Sequence, residues 1–273
     1  MISSASISAP TTPRPGLGLH DILWEDLYKG GLHGILKEKH RMIHAPGWSD
    51  DGIFEYRGMA IKRTTQSREM EMAERAGDCG VKVLGHILRF DMPDGQPRKM
   101  GMAMEIATPL VHYIKTILDN PEEKQKIKLE MIAVVERLHT EYNMVHGDIK
   151  PLNFVVCKDR GVRLCDWETA RPIDESTAIW ETLMEEGEIS TFTPRYNTKR
   201  DNYVPPTPAD DMYALAISIW ELYTDSVPLS NISDEDELEE FLENGGTVDL
   251  TKVEDDETRE WIRENLRKGG AKV

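Results

Sequence analysis

The residues best suited to chemistry lie in His146-Gly147-Asp148-Ile149-Lys150-Pro151-Leu152-Asn153 and, a little further on, in Cys165-Asp166-Trp167-Glu168. Asp148 is a carboxylate able to orient an attacking hydroxyl. Lys150 can neutralise charge on a moving phosphoryl group, and Asn153 with Asp166 can supply oxygen ligands to Mg²⁺ ions that bridge phosphates. Phosphoryl transfer asks for positioning and charge neutralisation more than for covalent help. Taken singly, Asp148 and Asn153 could merely cap turns. The pattern His-x-Asp-x-Lys-x-x-Asn, with four letters fixed, is what points to chemistry.

The flanking residues say how these groups are held. Met144 and Val145 lead into the segment, and Phe154, Val155 and Val156 follow it. Cys157-Lys158-Asp159-Arg160-Gly161 reads as a turn, and Val162 and Leu164 as a second strand that ends at Asp166. Such a hairpin brings Asn153 close to Asp166. Upstream, Ile127, Met131, Val134, Val135 and Leu138 recur at helical spacing, predicting a helix over Pro121 to Thr140 with proline and two glutamates in its first turn. Downstream, Asp211 to Leu222 is apolar almost all round, as befits a helix inside a lobe core.

These motifs resemble the eukaryotic protein kinase superfamily, whose catalytic loop reads His-Arg-Asp-x-Lys-x-x-Asn and whose metal-binding triplet reads Asp-Phe-Gly. The resemblance implies an α+β, bilobal fold with a small β-rich N-lobe and a mainly helical, shortened C-lobe. It divides the chain into N-lobe and hinge at 20–107 and C-lobe at 108–273, while residues 1–19, rich in Ser, Ala, Thr and Pro, read as a flexible tail. Asp148 is then the catalytic base, Lys150 a phosphate contact, and Asn153 and Asp166 the Mg²⁺ ligands. A lysine two residues after the aspartate is the Ser/Thr-type pattern. Ala60-Ile61-Lys62 resembles the strand Val-Ala-Ile-Lys, which implies that Lys62 grips the α/β-phosphates with Ala60 beside the nucleotide. A carboxylate must hold that lysine. Glu69 is favoured, Glu71 is next and Glu74 remains open, each with the ordinary alternative of a solvated helix face.

By the same resemblance Met104, Glu105 and Ala107 belong to the nucleotide hinge, with Ile106 a less certain neighbour, and Val155 lines the pocket from the C-lobe side. In the phosphate-covering loop, Lys29 to Leu36, Gly31 and Gly34 match and Leu36 covers the adenine, but Lys29 stands in place of the first glycine. Asp211 corresponds to the aspartate that binds the catalytic-loop backbone, and it could equally be an N-cap. Thr193-Pro194-Arg195-Tyr196 resembles the segment that seats a protein substrate, with Thr193 against Asp148 and Lys150. The family's next motif, Ala-Pro-Glu, is missing. Gly147 replaces the arginine that normally pairs with an activating phosphate, and Trp167-Glu168 replaces Phe-Gly. Cys165 would border the nucleotide pocket unless buried and inert.

The net charge of −16 disfavours nucleic acid and anionic membrane as partners, because phosphate binding needs clustered Lys and Arg. It suits a basic protein substrate, although solubility alone explains it. Three cysteines with no C-x-x-C motif predict a reducing, cytoplasmic setting. The Ser-, Ala- and Pro-rich start lacks a secretory apolar core; a transit peptide is the lesser option. The expectation is an ATP- and Mg²⁺-dependent protein kinase acting on Ser/Thr hydroxyls. The alternatives are a pseudokinase serving as a binding module, or a kinase acting on a small molecule. The sequence does not fix the oligomeric state.

Overall fold

A five-stranded sheet forms because short alternating segments bury one face each. The computed structural model describes residues 21–23, 53–56, 58–64, 66–90, 96–189, 192–198, 201 and 203–273. The strands are β1 (Ile22–Leu23), β2 (Phe54–Tyr56), β3 (Met59–Arg63), β4 (Val83–Arg89) and β5 (Arg98–Met104), in the order β1-β4-β5-β3-β2. Neighbours are antiparallel except β1 on β4. Because side chains alternate along a strand, Ile61, Ile87 and Ala103 pack with Ile22 on one face. Ala60, Met102 and Met104 join the main core on the other. Helix α1 (Ser67–Arg75) lies against that second face and buries Glu69, Met70, Met72 and Ala73, the i, i+3, i+4 stripe of an amphipathic helix.

The remaining part is mainly helical. Helix α2 (Leu110–Ile114) precedes α3 (Pro121–Thr140), which the sequence delimits well. The Asn120 side chain caps α3 at the Glu123 N–H, and Ile127, Met131, Val134, Val135 and Leu138 are all buried. Strands β6 (Thr108–Pro109), β8 (Phe154–Cys157) and β9 (Gly161–Leu164) form a small sheet, while β7 (Met144–Val145) pairs with β10 (Arg171–Pro172). Helices α4 (Thr177–Glu185), α5 (Pro208–Thr224), α6 (Glu235–Glu243) and α7 (Asp256–Lys268) complete the described residues. The acidic stretch near 233–243 does form a helix, and it buries Leu238 and Leu242.

Helix α5 is buried along most of its length. Its start differs from the N-cap reading of Asp211. Thr207 is the cap, and it shares a reciprocal capping box with Asp210. Asp211 is therefore free to point into the catalytic loop. One hydrophobic cluster runs from Ala60 and Met70 in the sheet-bearing part through Met131, Phe154 and Trp167 to Leu215 and Ile262, so both parts share a core.

Candidate active site

The loop that carries the His146–Asn153 motif hangs from α5. Asp211, almost fully buried, accepts the His146 N–H on Oδ2 and the Gly147 N–H on Oδ1, both at 2.8 Å. His139 Nε2 lies 2.9 Å from Oδ2. The His146 ring is fully buried, 3.0 Å from the Cys165 carbonyl and stacked obliquely on Trp167, with ring centroids 4.9 Å apart. Trp167, fully buried, thus packs directly behind Asp166. Gly147 has φ +82, and a Cβ there would sit 2.6 Å from the Thr169 carbonyl oxygen and 3.0 Å from Pro206 Cγ. The glycine is a steric requirement of this loop path as much as a lost arginine.

Asp148 is held on three sides. Lys150 Nζ donates to Oδ2 at 2.5 Å, Asn153 Nδ2 donates to Oδ2 at 3.1 Å, and the Thr193 N–H donates to Oδ1 at 3.0 Å. Lys150 also donates to Thr193 Oγ1 at 2.7 Å, and Asn153 Nδ2 to the Asp148 carbonyl at 2.8 Å. The segment carrying Thr193 is therefore tied directly to the catalytic loop.

The hairpin of β8 and β9 pairs Phe154 with Leu164, and the Cys165 N–H donates to the Asn153 carbonyl at 2.9 Å. Asp166 follows with φ +68, a left-handed conformation uncommon outside glycine. Its Oδ1 receives Lys62 Nζ at 2.7 Å. Lys62 also donates to Glu69 Oε1 at 2.6 Å and to Glu168 Oε1 at 3.4 Å. Of the three glutamates the sequence offered, α1 turns Glu69 inward. Glu71 is exposed, and Glu74 pairs with His86 at 2.8 Å and Lys99 at 3.5 Å.

Burial alone would lower the Lys62 pKa, but Asp166, Glu69 and Glu168 outweigh it and hold the ammonium above its ordinary range. Burial likewise pushes Asp166 up, and Lys62 more than reverses it, so this carboxyl stays below the usual range. Glu69, Asp166 and Glu168 bring carboxylate oxygens within 4.8 Å of one another. The cation between them is the Lys62 ammonium. The oxygen donors of Asp166 and Asn153 suit a hard divalent ion, and Lys62 suits a phosphate, so these residues fit Mg²⁺ and a nucleotide.

Ala60 sits opposite Met104 across β3 and β5, and both are buried. The Glu105 N–H donates to the Lys82 carbonyl at 3.0 Å, and its side chain accepts from Arg160 at 2.8 Å. Ala107 packs against the core and Val155 is buried in β8, whereas Ile106 is 42% exposed. Gly31, Gly34 and Leu36 lie outside the described residues. Cys165 is buried in the core, and burial first, then Asp166, raises its thiol pKa.

Sequence reasoning missed several contacts that order the segment after Asp166. Arg68 of α1 pairs with Glu175 at 2.7 Å and donates to the Ala170 carbonyl at 3.3 Å. Arg171 donates to the carbonyls of Pro206 at 3.0 Å, Ile173 at 3.3 Å and Glu175. Arg195 donates to the carbonyls of Pro228, Leu229 and Ile232, and Tyr196 OH donates to Glu221 at 2.5 Å. These last bonds anchor the Thr193–Tyr196 segment where the Ala-Pro-Glu motif is absent. Charge and position marked the arginines as available, but nothing local named carbonyl partners.

Residues 59–268, more than half the chain, match the family model described as the protein kinase domain. The chain belongs to that family. It resembles the lymphokine-activated killer T-cell-originated protein kinase of Homo sapiens at 30% identity over 118 residues, 42% of this chain and 35% of that protein. It resembles receptor-interacting serine/threonine-protein kinase 1 of Homo sapiens at 25% identity over 192 residues, 63% of this chain and 26% of that protein. A probable serine/threonine-protein kinase of Corynebacterium efficiens is 28% identical over 118 residues, 42% of this chain and 17% of that protein. The matched segments span 35% or less of these relatives' lengths.

Proposed function

We propose that this protein kinase uses ATP and Mg²⁺ to phosphorylate Ser and Thr hydroxyls of protein substrates in a reducing, cytoplasmic setting. The observation that carries this reading is the fixing of Asp148 by Lys150, Asn153 and Thr193. A carboxylate offers about four lone-pair positions. Two of those on Oδ2 and one on Oδ1 are taken by these donors, which leaves Oδ1 a position for the proton of an incoming hydroxyl. Lys150, bridging Asp148 and Thr193, stands where negative charge on the transferring phosphoryl group gathers. Lys62, held by Glu69, positions the phosphates. Asn153 and Asp166 would hold Mg²⁺, which when bound supplies charge neutralisation between the phosphates.

The protein-substrate part rests on the anchored Thr193–Tyr196 segment and on relatives whose names say serine/threonine-protein kinase. The −16 net charge favours a basic substrate over nucleic acid or an anionic membrane. No helix among the described residues is long and apolar enough to cross a membrane. Three free, buried thiols accord with a reducing compartment.

The test is Mg²⁺-dependent transfer from γ-labelled ATP to the protein itself and to a generic basic protein, for wild type beside Asp148→Asn. Label on Ser or Thr that vanishes in the variant is the expected result. Nucleotide binding without transfer would replace this reading with a binding module or a small-molecule kinase, which a metabolite screen would separate.

A further inference from the structure

A protonated lysine has three N–H donors, and Lys62 spends them on Glu69, Asp166 and Glu168. The three partners differ in freedom. Glu69 is fully buried, its Oε2 has no hydrogen-bond partner, and it lies on a packed face of α1. Asp166 is fixed by its backbone conformation and by its short bond to Lys62. The side chains of Asp166 and Glu168 are similarly exposed, 29% and 32%, and Glu168 makes the longest contact, 3.4 Å. A phosphate that reaches Lys62 must take one donor, and the Glu168 bond, the longest of the three, is the one that yields most readily.

We infer that Glu168 is a placeholder for the nucleotide phosphate. Its carboxylate occupies the third Lys62 donor when no nucleotide is bound and is displaced when one binds. Three carboxylates around one ammonium leave an excess of two negative charges, which repels a triphosphate unless a divalent cation enters with it. Glu168 thereby makes nucleotide affinity depend steeply on the cation. This rests on the kinase reading of the Lys62 site, and it adds a positioning role for a residue that stands where the family's triplet has glycine.

The test is equilibrium binding of ATP to wild type, Glu168→Ala and Glu168→Asp, once in EDTA and once in saturating Mg²⁺. Alanine removes both the charge and the occupancy. Aspartate keeps the charge, but is one methylene too short to hold Lys62. In EDTA the alanine variant should bind ATP about tenfold tighter and the aspartate variant about threefold tighter, the scale of one partly screened charge contact. In Mg²⁺, which offsets the charge but not the occupancy, the alanine and aspartate variants should both bind ATP about threefold tighter than wild type. Wild-type affinity in the aspartate variant would reduce the effect to bare charge and overturn the inference, as would wild-type affinity in the alanine variant. Tighter binding without phosphate transfer by any of the three would sink the kinase reading and leave Glu168 as inferred. If wild type bound no ATP in either condition, both would fall.

Discussion

Replacing Asp211 by Asn tests whether the catalytic loop really hangs from α5. The two carboxylate oxygens each accept one main-chain N–H at 2.8 Å, from His146 and from Gly147. Asparagine is nearly the same size but has one acceptor oxygen, and its NH₂ would face the second N–H donor to donor. One buried N–H loses its partner, at a cost of about 1–3 kcal/mol, and the surviving bond loses its charge assistance, about 1 kcal/mol more. The sum, about 2–4 kcal/mol, is a large share of the 5–15 kcal/mol typical of a folded domain. Asp211→Ala orphans both donors and should cost more. Urea unfolding followed by tryptophan fluorescence reads the loss. Phosphate transfer should fall too, because Asp148 directly follows the two residues released. If Asp211→Asn shifted stability by less than about 1 kcal/mol, the N–H left over would have to be satisfied elsewhere, and the anchoring role would be refuted.

Gly147→Ala combines φ +82 with a Cβ 2.6 Å from a carbonyl oxygen. A loss of about 2–4 kcal/mol is expected from the backbone and overpacking costs together, and an unchanged melting midpoint would refute it. Arg68→Met leaves the largely buried Glu175 with only the more distant Arg171, at 4.0 Å, as cation, so stability should drop by about 1–3 kcal/mol. Hydrogen exchange at residues 170–176 should then rise, and Glu175→Gln in the same chain should add little. In the native protein at pH 8, iodoacetamide should label no cysteine. Burial first holds all three thiols up, Cys79 to about 11 and Cys157 to about 12. Rapid labelling of Cys165 would contradict its burial. Phosphatase treatment should leave transfer activity unchanged, since the segment after Asp166 is tied by Arg68 and Arg171. A loss restored by rephosphorylation would overturn that view.

What the sequence showed and what it hid divide by distance along the chain. Helix α3 and the β8–β9 hairpin are readable because their periodicity and turn residues act within a few positions. The spacing of Asp148, Lys150 and Asn153 is local too. Choosing Glu69 over Glu71 needed only the phase of one short helix. Glu168 holding Lys62 joins residues 106 apart, and Arg68 with Glu175 joins residues 107 apart. No window of sequence carries those pairings. The Asp211 cap reading failed for a related reason. Thr207 and Asp210 satisfy the helix start together, and only the packing of α5 beneath the loop shows where the next aspartate points.

Arg171 and Arg195 have a consequence for how the chain can vary. Both grip main-chain carbonyls, those of Pro206, Ile173 and Glu175 for one and of Pro228, Leu229 and Ile232 for the other. Every residue type carries a carbonyl. Substitutions at those partner positions keep the grip so long as the backbone keeps its path, whereas exchange of either arginine removes several bonds at once. Dependence in these two grips runs one way: each needs its arginine side chain, and of its partners only the main chain, whatever else Glu175, Leu229 and Ile232 do with their side chains.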